Sequence, residues 1–383
     1  MKDDAVNRVM IVAGEASGDI YGAGLITTVA AEMPEIRFFG IGGPRMREAG
    51  CETLVDSADM AVVGLVEVLK HFEVIAAAFL KLKKILLNDP PDLLILIDYP
   101  GFNLRLAKVA KRAGVKVLYY ISPQIWAWRQ GRVHKIKRLV DQMAVILPFE
   151  VPFYEKAGVP VSFVGHPLAD LVQVSLNKEQ AAASFGLDPS RPVVGLFPGS
   201  RRSEVSRLLP TILEAARLLL RVPELQFVLP LASTLTEEDL APWLSTTDLP
   251  LTITRERIHD LIRACDAVIS VSGTVTLEVA LVGTPLVIIY KLSPLTFQLA
   301  KRLVKVEHIG LCNIVAGETV APELIQDDAS PERIAAEIEH LLEHEVNSSV
   351  RSRLSRVRER LGGGGANQRM AALIRGFLRN EML

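Results

Sequence analysis

Cysteine is scarce in this 383-residue chain: Cys51, Cys265 and Cys312 stand far apart, with no CxxC pair and no Cys/His spacing suited to zinc. A disulfide framework is excluded, and a reducing, cytoplasmic setting fits. No apolar run approaches the ~18 residues a membrane-spanning helix requires. An excess of either charge is also missing, with 43 lysines and arginines against 44 aspartates and glutamates. A protein that works by coating nucleic acid would be strongly basic, so nucleic acid is not an expected partner. The opening MKDDAVNRVMIVAGEASGD lacks the basic start and long apolar stretch of a signal peptide, which argues against export. No DxD triplet occurs, so the usual paired carboxylates for holding magnesium against a nucleotide diphosphate are absent, and neither metal nor cofactor is expected.

What is present is a globular composition, 49% apolar and 23% charged, long enough for two domains. Nine short apolar runs alternate with amphipathic helical stretches: RVMIVA, IRFFG, DLLILID, VKVLYYI, QMAVIL, PVVGLFPG, LQFVLP, DAVISVSG and PLVIIY. Each run is apolar without alternation, as a parallel strand covered on both faces should be. The pattern predicts an α/β protein of two Rossmann-like, doubly wound domains, residues 1–168 and 169–349. Helices within 350–383 are expected to complete the first. Gly362 to Gly365 read as a hinge or break between the last two helices.

Ligands of such sheets bind beyond the carboxyl ends of the strands, so the loops there carry the candidates. The first strand runs into Gly14, Glu15, Ser17 and Asp19, small and polar residues at a helix start. This is either an anion-binding turn or a plain turn capped by Ser17 or Asp19. DLLILID ends in Asp98, a carboxylate delivered by a rigid strand and suited to a general base; the bland reading is a helix cap, a task that Asn103, otherwise a candidate substrate contact, can also perform. After VKVLYYI, Trp126, Trp128 and Arg129 begin a basic, aromatic stretch suited to a sugar, a phosphate or an anionic lipid, or to ordinary helix packing. In the second half, Gly199, Ser200 and Arg201 precede one helix, and Ser272, Gly273 and Thr274 open another that carries Glu278. Amides and a guanidinium can hold a diphosphate there, while Glu278 accepts ribose hydroxyls. His166 in GHPLAD reads as a base or, more in keeping with its place at the domain link, a structural histidine.

Two segments couple apolar residues to lysines and arginines. Within 64–87 lie Val66, Leu69, Phe72, Ile75, Phe79, Leu82 and Leu86 at helical spacing, with Val74 and Leu80 widening the face; within 295–306 lie Phe297, Leu299 and Leu303. Such stretches rest on an anionic membrane surface or pack an interface.

Taken in order, GEASGD, GIGGPRM, GLVEVL, SPQIWAWRQGRVHKI, LPFE, GHPLAD, LFPGSRRSEV, SGTVTLE and AKRLVK, with the asparagine of CNIVAG, resemble the lipid A disaccharide synthases, inverting glycosyltransferases of the GT-B type. The resemblance spans essentially the whole chain. It implies transfer from UDP-2,3-diacylglucosamine to 2,3-diacylglucosamine 1-phosphate (lipid X), giving the β-1,6 tetraacyl-disaccharide 1-phosphate and UDP, with the chemistry in a cleft between the domains. It implies Asp98 as the base, with Glu15 and Asp19 as alternatives; Arg201 and the SGTVTLE helix on UDP, with Asn313 nearby; and the two amphipathic segments at the cytosolic face of the inner membrane or on acyl chains. A homodimer stays open. The chain departs from the family where YPGFN follows Asp98, since relatives often carry a small residue and a second aspartate there. A UDP-N-acetylglucosamine 2-epimerase is the rival enzyme, and a nucleotide-binding peripheral membrane protein the rival without catalysis.

Overall fold

A computed structural model describes residues 7–60, 72–293, 297–298 and 307–379, with only the backbone of Phe72. The chain divides into two compact units, Met1–Pro167 with Gly364–Leu383, and Leu168–Gly363.

The first unit is built on a parallel sheet of β1 (Arg8–Ala13), β2 (Arg37–Gly42), β3 (Glu52–Asp56), β4 (Leu93–Ile97), β5 (Lys116–Tyr120), β6 (Gln142–Val145) and β7 (Val161–Phe163), in the order β3-β2-β1-β4-β5-β6-β7. The second unit has β8 (Val193–Phe197), β9 (Gln226–Pro230), β10 (Leu251–Thr254), β11 (Ala267–Val271), β12 (Leu286–Tyr290) and β13 (Glu323–Ile325), in the order β10-β9-β8-β11-β12-β13. The nine apolar runs are the nine interior strands. The four that the apolar pattern does not mark, β3, β7, β10 and β13, are the four sheet edges. Their side chains are mostly half-buried or exposed, so they never show a continuous apolar run.

Strand order reverses between β1 and β4 in one unit and between β8 and β11 in the other. Ala13 is in register with Ile97, and Phe197 with Ser270. A crevice opens where helices leave a sheet in opposite directions, so the loops after these four strands are the expected ligand loops.

Of the stretch 350–383, only the last part joins the first unit. The helix His344–Arg360 belongs to the second, where Arg351 donates to the carbonyls of Cys265 and Gly283 and Arg358 to those of Ala169 and Leu281. Gly362 to Gly365 all take left-handed φ, between 62° and 107°. Four such residues in a row suit glycine alone. The last helix, Ala366–Leu378, then packs on Ala16–Glu32, and Arg375 pairs with Glu32.

Helix Phe72–Asn88 turns Leu82 and Leu86 into the core, with Ile75 and Phe79 packed beside them, and leaves Val74, Leu80 and Leu87 exposed. Its apolar face exceeds what the core covers.

Candidate active site

Most candidate residues fall into two groups, one at the reversal point of each sheet, while Trp128 and Arg129 follow β5 and Asn313 lies ahead of β13. In the first unit β4 ends in Asp98, and the chain then turns sharply into the helix Pro100–Arg112. Asp98 and Tyr99 both adopt left-handed φ, 43° and 46°. Two consecutive non-glycine residues there cost on the order of 1–3 kcal/mol each, so their surroundings must hold them. The holding groups are buried side chains. The Tyr119 hydroxyl donates to the Asp98 main-chain oxygen at 2.5 Å, and the Asn103 amide donates to the same oxygen at 2.7 Å and to that of Ile97 at 3.1 Å. Above the turn, Tyr99 donates its hydroxyl to the Met60 carbonyl and lays its ring against Gly14, where a Cβ would stand 2.5 Å from a ring carbon. Gly14 is therefore required by the aromatic ring packed on it.

The Asp98 carboxyl is raised to about 6, first by burial and then by the neighbouring Glu15 carboxylate; a hydrogen bond from the Tyr99 amide works the other way. Such a group is mostly ionised at neutral pH yet basic enough to take a proton, as a general base must be.

Two expectations in this unit are corrected. Asp19 cannot serve as a base or ligand from its present position. It is buried, and its carboxylate accepts from the amides of Gly43, Arg45 and Met46, capping the short helix Pro44–Glu48. Asn103, a candidate substrate contact, is fully buried beneath the turn, where its side chain meets the Ile97 and Asp98 carbonyls and the Tyr119 hydroxyl. Glu15 is exposed on the loop and Ser17 on the first turn of the helix Ala16–Glu32, and the Glu15 side chain does not cap that helix, which suits its first amides to an anion. Trp126 packs edge-on to Phe149, whereas Trp128 and Arg129 are exposed. His166 is buried and pushed down to about 3 by desolvation; it stays neutral and structural.

In the second unit, Gly199 takes φ 102° after β8, and the helix Arg202–Leu219 begins with no side-chain cap. Glu204 folds back over this loop, accepting from the Ser200 amide at 3.3 Å and pairing with exposed Arg201 at 2.9 Å. After β11, Ser272 and Gly273 lead into Thr274–Val282, again uncapped by any side chain. Helices starting at Lys178 and Pro331 carry the ordinary caps Asn177 and Ser330. Helix starts elsewhere, such as those at Ile258 and Ala366, also lack a cap from their N-cap side chain, so what sets the two starts here apart is their place at the reversal points of the sheets, where open amides suit an anion.

Glu278 lies one turn inside its helix, 3.2 Å from His259 Nε2. His259 and Glu204 went unnoticed in the sequence: neither stands in a glycine-rich loop or at a strand end. Asn313 is a correction. Its amide donates to Ala321 and Glu323 and its oxygen accepts from Val320 and Ala321, so every polar atom is spent on holding the chain ahead of β13. Phe297 is half-buried; Val66, Leu69, Leu299, Leu303 and the Phe72 side chain lie outside the described residues.

The sequence model of the lipid-A-disaccharide synthetase family matches residues 9–374. The lipid-A-disaccharide synthase of Trichlorobacter lovleyi is 83% identical over 369 residues, 96% of either chain, and that of Geobacter sulfurreducens 62% identical over 376 residues, 98% of either. Among solved structures, the UDP-GlcNAc 2-epimerase of Neisseria meningitidis bound to UDP-GlcNAc superposes with a TM-score of 0.66 at 13% identity, over 97% of this chain and 100% of that one. The calicheamicin glycosyltransferase gives 0.64 at 16%, over 99% and 100%. At such identities these structures speak for the two-domain fold alone, so the epimerase likeness carries no activity.

Proposed function

The chain belongs to the lipid-A-disaccharide synthetase family, and from that membership we propose that it transfers 2,3-diacylglucosamine from UDP-2,3-diacylglucosamine to the 6-hydroxyl of 2,3-diacylglucosamine 1-phosphate. The products are the β-1,6 tetraacyl-disaccharide 1-phosphate and UDP. In this reading the first unit takes the acceptor and the second the UDP-sugar.

The observation that carries the assignment of roles is the Asp98 turn, a strained strand end whose carboxyl sits at about 6. Asp98 removes the proton of the acceptor hydroxyl as that oxygen attacks the anomeric carbon from the face opposite UDP, inverting the configuration. The C–O bond to the diphosphate breaks and the leaving UDP takes the electron pair. Arg201 and the bare helix starts at Ser200–Arg201 and Gly273–Thr274 neutralise that charge, an electrostatic contribution of ~2–4 kcal/mol. Glu278, steadied by His259, accepts from the ribose hydroxyls. No described helix is long and apolar enough to cross a membrane; exposed Val74, Leu80 and Leu87 on a lysine-bearing helix support peripheral attachment at the cytosolic face of the inner membrane.

The test is to incubate purified protein with UDP-2,3-diacylglucosamine, first alone and then with lipid X. A disaccharide appearing only in the second incubation, with one UDP released per product, is the expected result. An epimer in the first incubation, or no product in either, would refute the transfer.

A further inference from the structure

From Tyr99 to Val140 the chain has ten lysines and arginines and no aspartate or glutamate, within a protein whose formal charge is −1. Part of that excess gathers in the loop after β5. Arg129 and Arg132 stand there, Lys135 follows on the helix Val133–Leu139, and among the described residues none of the three is salt-bridged to a carboxylate. The two tryptophans of this loop do different things. Trp126 is packed against Phe149, ring centroids 4.8 Å apart. Trp128 is 45% exposed, and the Arg129 guanidinium lies 4.2 Å from its ring centroid.

A large indole left in water beside a stacked guanidinium contributes little to the core. Stacking does fix the guanidinium plane while leaving its N–H edge uncovered, and that edge matches two oxygens of one phosphate. The location suits a substrate group. Tyr120, the last residue of β5, is in register with Ile97, so this loop leaves the sheet one strand from Asp98 and at the same end. No carboxylate within the stretch competes for a dianion.

We infer that Arg129, stacked on Trp128, is the specificity-determining residue for a phosphate monoester on the acceptor, binding it by a two-pronged, charge-assisted contact. The inference rests on the proposed transfer and adds the part of the acceptor that this loop reads. The same chemistry is offered by the headgroup of an anionic phospholipid, and the experiment separates the two.

Wild type, Arg129→Met and Arg129→Lys are compared on two acceptors, 2,3-diacylglucosamine with and without its 1-phosphate. Wild type is expected to prefer the phosphorylated acceptor by roughly tenfold to a hundredfold in kcat/KM, the range of a strong charge-assisted contact. Arg129→Met brings that ratio close to one, chiefly through KM of the phosphorylated acceptor, with KM of the UDP-sugar unchanged; Arg129→Lys falls between. Binding of wild type and Arg129→Met to vesicles of anionic phospholipid is expected to be equal. Preserved discrimination in Arg129→Met overturns the inference, and if vesicle binding falls at the same time the guanidinium serves a headgroup instead. A wild type that makes disaccharide from both acceptors equally well also overturns it. A wild type that makes disaccharide from neither removes the transfer reading itself, a distinguishable result.

Discussion

The Tyr119 hydroxyl donates to the main-chain oxygen of Asp98 from a position with no solvent exposure. With the Asn103 amide on the same oxygen, two side chains from different elements grip the backbone of the residue whose carboxyl is raised to about 6. The grip is on the backbone, so the turn is fixed while the side chain is left for chemistry. This arrangement explains how two left-handed, non-glycine residues persist at a strand end.

Tyr119→Phe removes one of the two donors without changing ring packing. Losing a buried hydrogen bond of about 1 kcal/mol lets the turn relax toward ordinary φ. Turnover is expected to fall about fivefold to tenfold while both KM values stay within about twofold, because the residue acts through the placement of Asp98. Steady-state kinetics decide it. A change confined to KM would mean the hydroxyl serves substrate binding instead.

The raised carboxyl sets the acid side of the pH profile. A base must be ionised, so kcat/KM should decline as pH drops through about 6. Glu15 raises Asp98 by like charge, so Glu15→Gln lowers the pKa of Asp98 and shifts this limb toward lower pH. A limb that does not move when the Glu15 charge is removed would separate the two carboxylates.

Asp98 should also cost stability. Its folded-state value lies above that of an unfolded aspartate, so its effect on folding is most favourable at low pH and is lost as pH rises through about 6. Burial of the ionised form then opposes folding by at most on the order of 2–3 kcal/mol. Asp98→Asn is therefore expected to be nearly inactive yet to melt several degrees higher than wild type at pH 7.5, with the gap narrowing to about a third of that near pH 4.5 and closing only below the ordinary aspartate pKa. Equal melting temperatures at both pH values would contradict the desolvation of this carboxyl.

How much of this was readable in advance follows the chemistry of each residue. Interior strands announce themselves because both faces are covered, as in Leu93–Ile97 and Val193–Phe197, where every residue is buried. Edge strands such as Leu251–Thr254 do not. Asp98 and Arg201 stand where strands end and helices begin, and that position was legible in the sequence. Asp19, Asn103 and Asn313 looked equally polar in the sequence, yet folding spends their hydrogen bonds on groups outside their own turn: Asp19 on the amide of Gly43 24 residues on, Asn103 on carbonyls of the preceding strand end, and Asn313 on the segment ahead of β13. Spacing along one strand or helix does not encode such contacts. Tyr119 was concealed by the reverse effect: it reads as one more apolar strand residue, and only its hydroxyl carries the role.

Glu204 offers the last prediction. Its carboxylate covers the Ser200 amide and pairs with Arg201, the groups assigned to the diphosphate of the donor. A carboxylate and a diphosphate compete for the same donors, so the ligand must displace the internal anion before it can bind. Arg201 is largely solvent-exposed, so its pair with the more covered Glu204 is worth little by itself, yet like-charge repulsion between Glu204 and incoming phosphate adds to the cost. Glu204→Gln should therefore tighten UDP binding, by roughly threefold to tenfold in calorimetry, and strengthen product inhibition by UDP, whereas Arg201→Ala should weaken both. Weaker UDP binding by Glu204→Gln would instead make this carboxylate a brace for the loop, needed in place when the nucleotide arrives.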